Sequence, residues 1–419
     1  MPVLTSEFYA LPFIILLLLI AVMPLRFSSF WEKNLNKAIV CAIIGLPMFF
    51  FLLVNFPIEL RRALFDYVSF ILLLAALFVI AGGILVTGDL RATPRINTAF
   101  LLFGAVIANL IGTTGASMLL IRPLLRTISE RKFTRHIPIF FIFVVSNIGG
   151  SLTPLGDPPL FLGFLRGVPF NWTLNLFPIW IVTLAIVLSA FYFLDVRNYR
   201  KETPQDIQRD ERAVVPLRVS GKINLILLLV VILAIFFQTP APFREIILLA
   251  MLLLSLRVTR KETRAQNKFS FAPIVEVAIL FAAIFVTMVP VLLLLEERGA
   301  QLGLTHAWQF FWITGGLSSV LDNAPTYLTL VSLAEGVTRN LGAGNFEIVA
   351  GVRADLLRAI SCGAVFMGAN TYIGNGPNFM VKAIAEEQKI NMPHFFEYLF
   401  YSGAVLLPIF FIITILFFL

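Results

Sequence analysis

The sequence predicts an all-α polytopic membrane protein made of two inverted repeats of five crossings, each with a re-entrant hairpin and a broken helix. Three observations predict it. Apolar residues make up 59% of the 419-residue chain and charged residues 13%, with a mean hydropathy of +0.91. A soluble domain of this length carries about a quarter charged residues. The apolar runs, among them 11–23, 70–86 and 223–237, are continuous and not alternating. In hydrocarbon the backbone must satisfy its own polar groups, which leaves helices or a closed barrel, and continuous runs select helices. Finally, the two halves of the chain resemble each other in order.

Ordinary spans are expected at 9–26, 36–55, 64–87, 172–194, 221–238, 242–257, 272–295 and 395–419, each about the length that crosses some 30 Å of hydrocarbon. The first span is read as retained, because no basic n-region or small-residue cleavage site precedes it. Four other apolar stretches, 97–128, 137–166, 305–338 and 355–388, carry polar, Gly- or Pro-rich clusters in their middles. Such a segment is a re-entrant hairpin or a helix broken at mid-membrane. If 97–128 and 305–338 are hairpins while 137–166 and 355–388 cross, the basic loops around Arg26–Lys37, Arg91–Arg95, Arg126–Arg135, Arg197–Lys222 and Arg257–Lys268 all fall on one face. Arg61, Arg62, Arg298 and Arg339 fall on the other. The positive-inside rule makes the first face cytoplasmic. Ten crossings of a bacterial-type inner membrane, with both termini outside, are therefore expected. The domains read as a first repeat over 1–194, a cytoplasmic linker over 195–222 long enough only to tether, and a second repeat over 223–419.

The formal charge of +8 lies in loops on one face, so it indicates membrane sidedness and no nucleic-acid partner. Cys41 and Cys362 sit in separate apolar segments and build neither a disulfide framework nor a thiolate site.

The repeat is most legible where it is polar. Thr153-Pro154-Leu155-Gly156-Asp157-Pro158-Pro159-Leu160-Phe161-Leu162 matches Thr371-Tyr372-Ile373-Gly374-Asn375-Gly376-Pro377-Asn378-Phe379-Met380. Thr113–Ser117 lies opposite Asp322–Thr326, and Ala75–Val79 opposite Ala282–Val286. With an odd number of crossings in each half, the halves face opposite ways, which places a binding site at their interface near the bilayer midplane.

The candidate site follows. Glycines and prolines at the two breaks release backbone carbonyls that can replace a cation's hydration shell, and expose half-helix N-termini that favour anions. Ser146, Asn147, Ser151, Thr153, Asn323, Thr326, Asn370, Thr371, Asn375 and Asn378 add hydroxyls and amides, and the inner hairpin tip adds Asn109, Thr113 and Thr114. Asp157 and Asp322 are ionisable groups at a depth where charge is costly, so they are the candidate holders of a transported Na⁺ or proton; they could equally cap the half-helices. Lys382 either pairs with a carboxylate or snorkels to the cytoplasmic surface. His136, His306 and His394 fall near span ends. No Walker loop, nucleophile elbow, zinc spacing or dinucleotide fingerprint occurs, so the expectation is a transporter without catalytic residues or a bound cofactor, with lipid and a small ion as partners.

The order of span, hairpin, broken helix and span, given twice, resembles the ion transporter superfamily, the group of arsenite permeases, citrate and dicarboxylate transporters and D-type sodium/proton antiporters. Ser146-Asn147-Ile148-Gly149-Gly150 with Pro154-Leu155-Gly156-Asp157 is similar to the antiporters' signature, and Leu321-Asp322-Asn323-Ala324-Pro325-Thr326 to the tip found across the group. Pro158 and Pro159 replace the antiporters' hydroxyl-rich continuation, and neither hairpin keeps an intact Ser-Asn-Thr triplet. The resemblance implies a homodimer. Two activities follow as expectations: a sodium (or lithium)/proton antiporter, favoured by two carboxylates without a central base, and a sodium- or proton-coupled carrier of citrate or a dicarboxylate.

Overall fold

The computed structural model describes residues 6–341 and 344–419; the start of the expected first repeat and two residues of the 339–352 loop lie outside these. The described residues are predominantly helical, with only short strands. The first half runs through α1 (Leu11–Arg26), α2 (Asn34–Asn55), α3 (Pro57–Ala81), strand β1 (Leu85–Thr87), α4 (Pro94–Thr127), α5 (His136–Val144), α6 (Pro158–Leu165) and α7 (Phe177–Tyr199). A connecting helix α8 (Pro204–Ala213) and strand β2 (Arg218–Ser220) follow. The second half comprises α9 (Ile223–Phe236), α10 (Phe243–Val258), α11 (Ala272–Thr287), α12 (Val289–Arg298), α13 (Ala307–Val320), α14 (Asn323–Leu341), the short strands β3 (Ile348–Val349) and β4 (Val352–Arg353), α15 (Ala354–Met367), α16 (Gly376–Glu387) and α17 (Phe395–Phe417).

Outer helices divide their apolar residues between protein and lipid. Along α2, Cys41, Met48 and Leu52 are buried, whereas Ile43, Phe50 and Val54 are exposed; an apolar face this extensive has hydrocarbon as its solvent. α2 packs on α11, where Gly45 lets the backbones approach, a Cβ there falling 3.4 Å from that of Ala283. α3 turns Leu60, Ala63, Phe70, Leu73 and Leu77 inward at helical spacing, and Phe70 stacks on Phe281 at 4.9 Å. By contrast, every residue of α5 is buried, as is all but a little of α15. The two broken helices therefore form the centre of the molecule.

Six helices are long and apolar enough to cross a membrane, or seven if the bent pair α11–α12 is one span, among the described residues. The protein is a multi-pass membrane protein. One of the six, α4, doubles back: Gly112 has φ +78°, and a Cβ on Gly104 would meet the Leu120 side chain at 3.4 Å. A straight helix would hold those residues about 24 Å apart. α13 and α14 pack on each other after the chain breaks at Leu321–Asp322.

Several expected boundaries shift. The span placed at 64–87 is Pro57–Ala81, started by Pro57 and ended before Gly82-Gly83, and Leu85–Thr87 leaves the helix to pair antiparallel with Arg218–Ser220. The span at 172–194 begins as a 3₁₀ turn, and its α-helix continues to Tyr199, into the expected linker. The span at 272–295 bends by 42° between Thr287 and Val289, where Pro290 denies the helix a donor. The runs at 221–238 and 242–257 give helices of 14 and 16 residues, about 21 and 24 Å long and shorter than the hydrocarbon they were expected to cross.

The linker does more than tether. Asp195, fully buried near the end of α7, accepts from Arg131 (2.6 Å), from Asn97 (2.9 Å) and lies 2.9 Å from His136 Nε2. Glu202 accepts the Lys132 and Phe133 N–H groups, and Asp210 the Ala92 N–H. Position and charge alone put His136 and Arg131 at an interface; folding buries both against this carboxylate.

Candidate functional site

Local sequence makes each break. After α5 the chain tightens into a 3₁₀ turn over Ile148–Ser151, and α6 begins only after Asp157, with Pro158 and Pro159 at its first positions. After α15 a second 3₁₀ turn covers Gly368–Asn370, and α16 begins after Asn375, with Pro377 in its first turn. Asp157 and Asn375 thus hold corresponding places, both extended, immediately before a half-helix N-terminus.

The two breaks are braced alike. Thr153 donates its hydroxyl to the Asn109 carbonyl, and Thr371 to the Ser319 carbonyl, both at 2.5 Å. In each break two glycines touch: a Cβ on Gly156 would fall 2.1 Å from the Gly150 oxygen, and one on Gly374 2.7 Å from the Gly368 oxygen. Each threonine thereby ties a break to its neighbouring hairpin.

The hairpin tips and breaks meet at Asp157, which is 1% exposed. Its Oδ1 accepts the Thr113 hydroxyl at 2.6 Å, from the tip of α4. Its Oδ2 accepts the Asn323 amide at 2.5 Å, from the first residue of α14. The Asn375 amide reaches Oδ1 at 3.2 Å from the second break, and is also shared with the Ser146 carbonyl (3.0 Å) and Asn147 Oδ1 (3.2 Å). Residues 44, 166 and 218 positions away thus converge on one carboxylate. All three partners are neutral.

An amide chain continues from there. Asn147 donates to Asn378 Oδ1 at 2.7 Å, and Asn378 donates to the Gly368 and Thr371 carbonyls, each at 2.8 Å. Ser146 pairs with Ser117 at 2.8 Å. Two buried oxygens, Asn323 Oδ1 and Asn370 Oδ1, have no hydrogen-bond partner, which leaves two acceptors free for a cation or water.

The other expected site residues are placed differently. Asp322 caps α14, its Oδ1 accepting the Ala324 N–H at 3.0 Å. Thr326 and Ser151 donate to nearby backbone carbonyls, those of Asp322 and Ile148. Asn109 donates to Ala105 and Gly149 and accepts from Leu152, stapling the hairpin to the first break. Asn370 donates to the Ser319 hydroxyl at 2.9 Å. Thr114 lines a small cavity beside Asp157 that also touches Leu77, Phe78 and Pro273. Lys382 turns away, pairing with Glu386 at 3.1 Å and lying over the Tyr372 ring.

No three His, Cys, Asp or Glu side chains come together in a metal-binding group among the described residues. A cation held here would rely on one carboxylate with amide, hydroxyl and carbonyl oxygens, a donor set suited to a hard ion. The cavity beside Asp157 measures 60 Å³, room for about two waters and far less than the roughly 300 Å³ at which ligand pockets begin. The site is closed in this conformation.

A family described as "Putative citrate transport" matches residues 4–418, nearly the whole chain. The chain belongs to this family. No curated protein matches it. Membership, together with apolar helices that enclose a polar centre, makes the protein a secondary transporter of the wider ion transporter group. The citrate-transport description fits the expected organic-anion activity better than sodium/proton antiport.

Proposed function

We propose that this member of the citrate-transport family is a cation-coupled carrier of a citrate-like organic anion, working by alternating access at the Asp157 site. The observation that carries the reading is the meeting of two hairpin tips and two half-helix N-termini on one buried polar cluster. The N-termini of α6 and α16 favour negative charge, and the Asn375 amide, shared among three acceptors in the closed site, supplies a donor for a substrate carboxylate. Asp157 itself repels such a substrate. A sodium ion or proton at Asp157, helped by the free oxygen of Asn323, removes that repulsion, so substrate and coupling ion bind together.

Within this reading the two halves, 1–194 and 223–419, are inverted repeats joined by the segment 195–222. The broken helices cross an inner membrane, the short α9–α10 pair enters it from the cytoplasmic side without crossing, the basic loops are cytoplasmic and both termini lie outside. The working unit is a homodimer.

One observation favours a second reading. All hydrogen-bond donors on Asp157 are neutral, which suits a carboxylate alternating between sodium and a proton. Proteoliposomes separate the two. Uptake of labelled citrate driven by an inward sodium or proton gradient supports the carrier. Collapse of an imposed pH gradient on adding sodium alone, without carboxylate uptake, establishes the antiporter instead.

A further inference from the structure

The short pair α9–α10 leaves part of the molecule uncovered. Its base is level with the end of α3, where Asn224 donates to the Gly83 carbonyl at 3.0 Å. Its tip is level with the middle of α3, where Ser69 donates to Glu245 at 2.8 Å. From Ser69 back to Pro57, α3 continues for another 12 residues, about 18 Å beyond the tip. Along that stretch the structure holds a cavity of 720 Å³ between α3, α12 and the end of α6. That volume is in the range of small-molecule sites and twelve times that of the space beside Asp157.

Three guanidinium groups line this cavity: Arg61, Arg62 and Arg166. Arg61 and Arg62 are exposed and form no ion pair among the described residues, and Arg166 reaches Asp66 only at 3.8 Å. The arginine beneath, Arg244, is by contrast bound to Glu245 and lies over the Phe164 ring at 5.6 Å. Arg61 and Arg62 are two of the few basic residues on the face that the basic loops avoid, and both border one cavity. Guanidinium forks match carboxylates in geometry. Glu59, Asp66 and Glu296 stand between them on the wall, so a polycarboxylate is held weakly and released readily, as a way station requires and a storage site does not.

The wall is also tied to the central site. Arg166 ends the helix that Asp157 begins, and that helix packs on α14, whose Asn323 bonds Asp157. We propose that this cavity is an outer anteroom, a second and weaker site where a di- or tricarboxylate is gathered by Arg61, Arg62 and Arg166 before it reaches Asp157. The proposal rests on the organic-anion reading above.

The test combines transport with a readout that needs none. Cys41 and Cys362 are buried, so Leu293→Cys, on the cavity wall, places an accessible thiol there. In neutral phosphatidylcholine liposomes, millimolar citrate is expected to slow its modification by a membrane-impermeant thiol reagent. Adding Arg62→Gln and Arg166→Gln should abolish that protection, and Arg62→Lys alone should preserve most of it. In uptake assays the double glutamine variant should raise the KM for citrate about fivefold, the scale of two exposed charge pairs, with kcat unchanged and a weaker salt dependence of kcat/KM.

Protection without uptake by the wild type would keep the anteroom and sink the carrier reading. Uptake with an unmoved KM and no protection would overturn the anteroom and leave the carrier standing. Absence of both overturns both. Protection already present in phosphatidylglycerol liposomes without citrate would assign the guanidiniums to lipid headgroups and overturn the anteroom.

Discussion

Replacing Asp157 by Asn removes the charge on which coupling is proposed to depend. The Asn375 amide lies 3.2 Å from Asp157 Oδ1. A substrate carboxylate accepting from that amide therefore sits within about 6 Å of the aspartate, given an ordinary hydrogen bond of about 2.9 Å. Two unit charges at that distance repel by about 2.8 kcal/mol at an effective dielectric constant near 20, a factor of about 100 in affinity. In the wild type, withdrawing sodium at a pH where Asp157 is ionised should raise the Kd for citrate by about that factor. In Asp157→Asn the repulsion is absent with or without the cation, so the two affinities should agree within about threefold. Titration calorimetry on purified protein in detergent, with choline replacing sodium, measures this independently of turnover, and thermal unfolding checks that the variant is folded. An Asn at this place keeps one acceptor for three donors, and the unmatched donor costs about 1–3 kcal/mol, so a modest drop in Tm is expected. Sodium dependence of wild-type size in Asp157→Asn would refute the reasoning, because the coupling charge would then lie elsewhere.

Further predictions concern the scaffold of the site. Gly156→Ala should abolish uptake and lower Tm in fluorimetric unfolding, because its Cβ would fall 2.1 Å from a backbone oxygen that has no side chain's freedom to retreat; Gly316→Ala, with nothing within 4 Å, should do neither. Asp195→Ala leaves Arg131, whose side chain is 3% exposed, buried without its close partner. Removing one member of such a pair costs about 3–5 kcal/mol, visible as a large fall in Tm, and a fall of only a degree or two would mean that the group is not enclosed in solution. At Asp210, outside the membrane, burial pushes the carboxyl above its usual range, opposed by the Ala92 N–H. Its folded pKa exceeds its unfolded one, so its charge costs stability above the folded pKa and nothing below the unfolded one. The Tm of Asp210→Asn relative to the wild type should therefore rise between about pH 4 and pH 7, across the ordinary carboxylate range; a flat or falling difference contradicts the assignment.

The sequence by itself determined the lipid solvent, the helical class and the polar, Gly- and Pro-rich places where four segments break, though not the bend at Met288. Those are local or compositional properties: Gly149-Gly150 and Pro158-Pro159 end a helix wherever they lie, and Asp157 is conspicuous because a carboxylate in an apolar run is costly. Many of the side chains that gather around it were also recognisable from the polar repeat, since Thr113, Asn323 and Asn375 fall in matched clusters. Tertiary structure decided what they do. Asp322, conspicuous in sequence for the same reason as Asp157, spends an oxygen on the Ala324 N–H and caps α14, whereas Asn323 beside it turns onto Asp157. Nothing local separates the two, because the difference is the direction of approach of a segment 166 residues away. The Asp195 network was invisible for a related reason: an acid among basic residues at a span end has the same composition whether it faces water or, as here, an arginine from another loop. The arginine-lined cavity was hidden as well. It lies along the half of α3 that α9 and α10 do not reach, and a relative level between helices is set by packing, which a single apolar run does not encode.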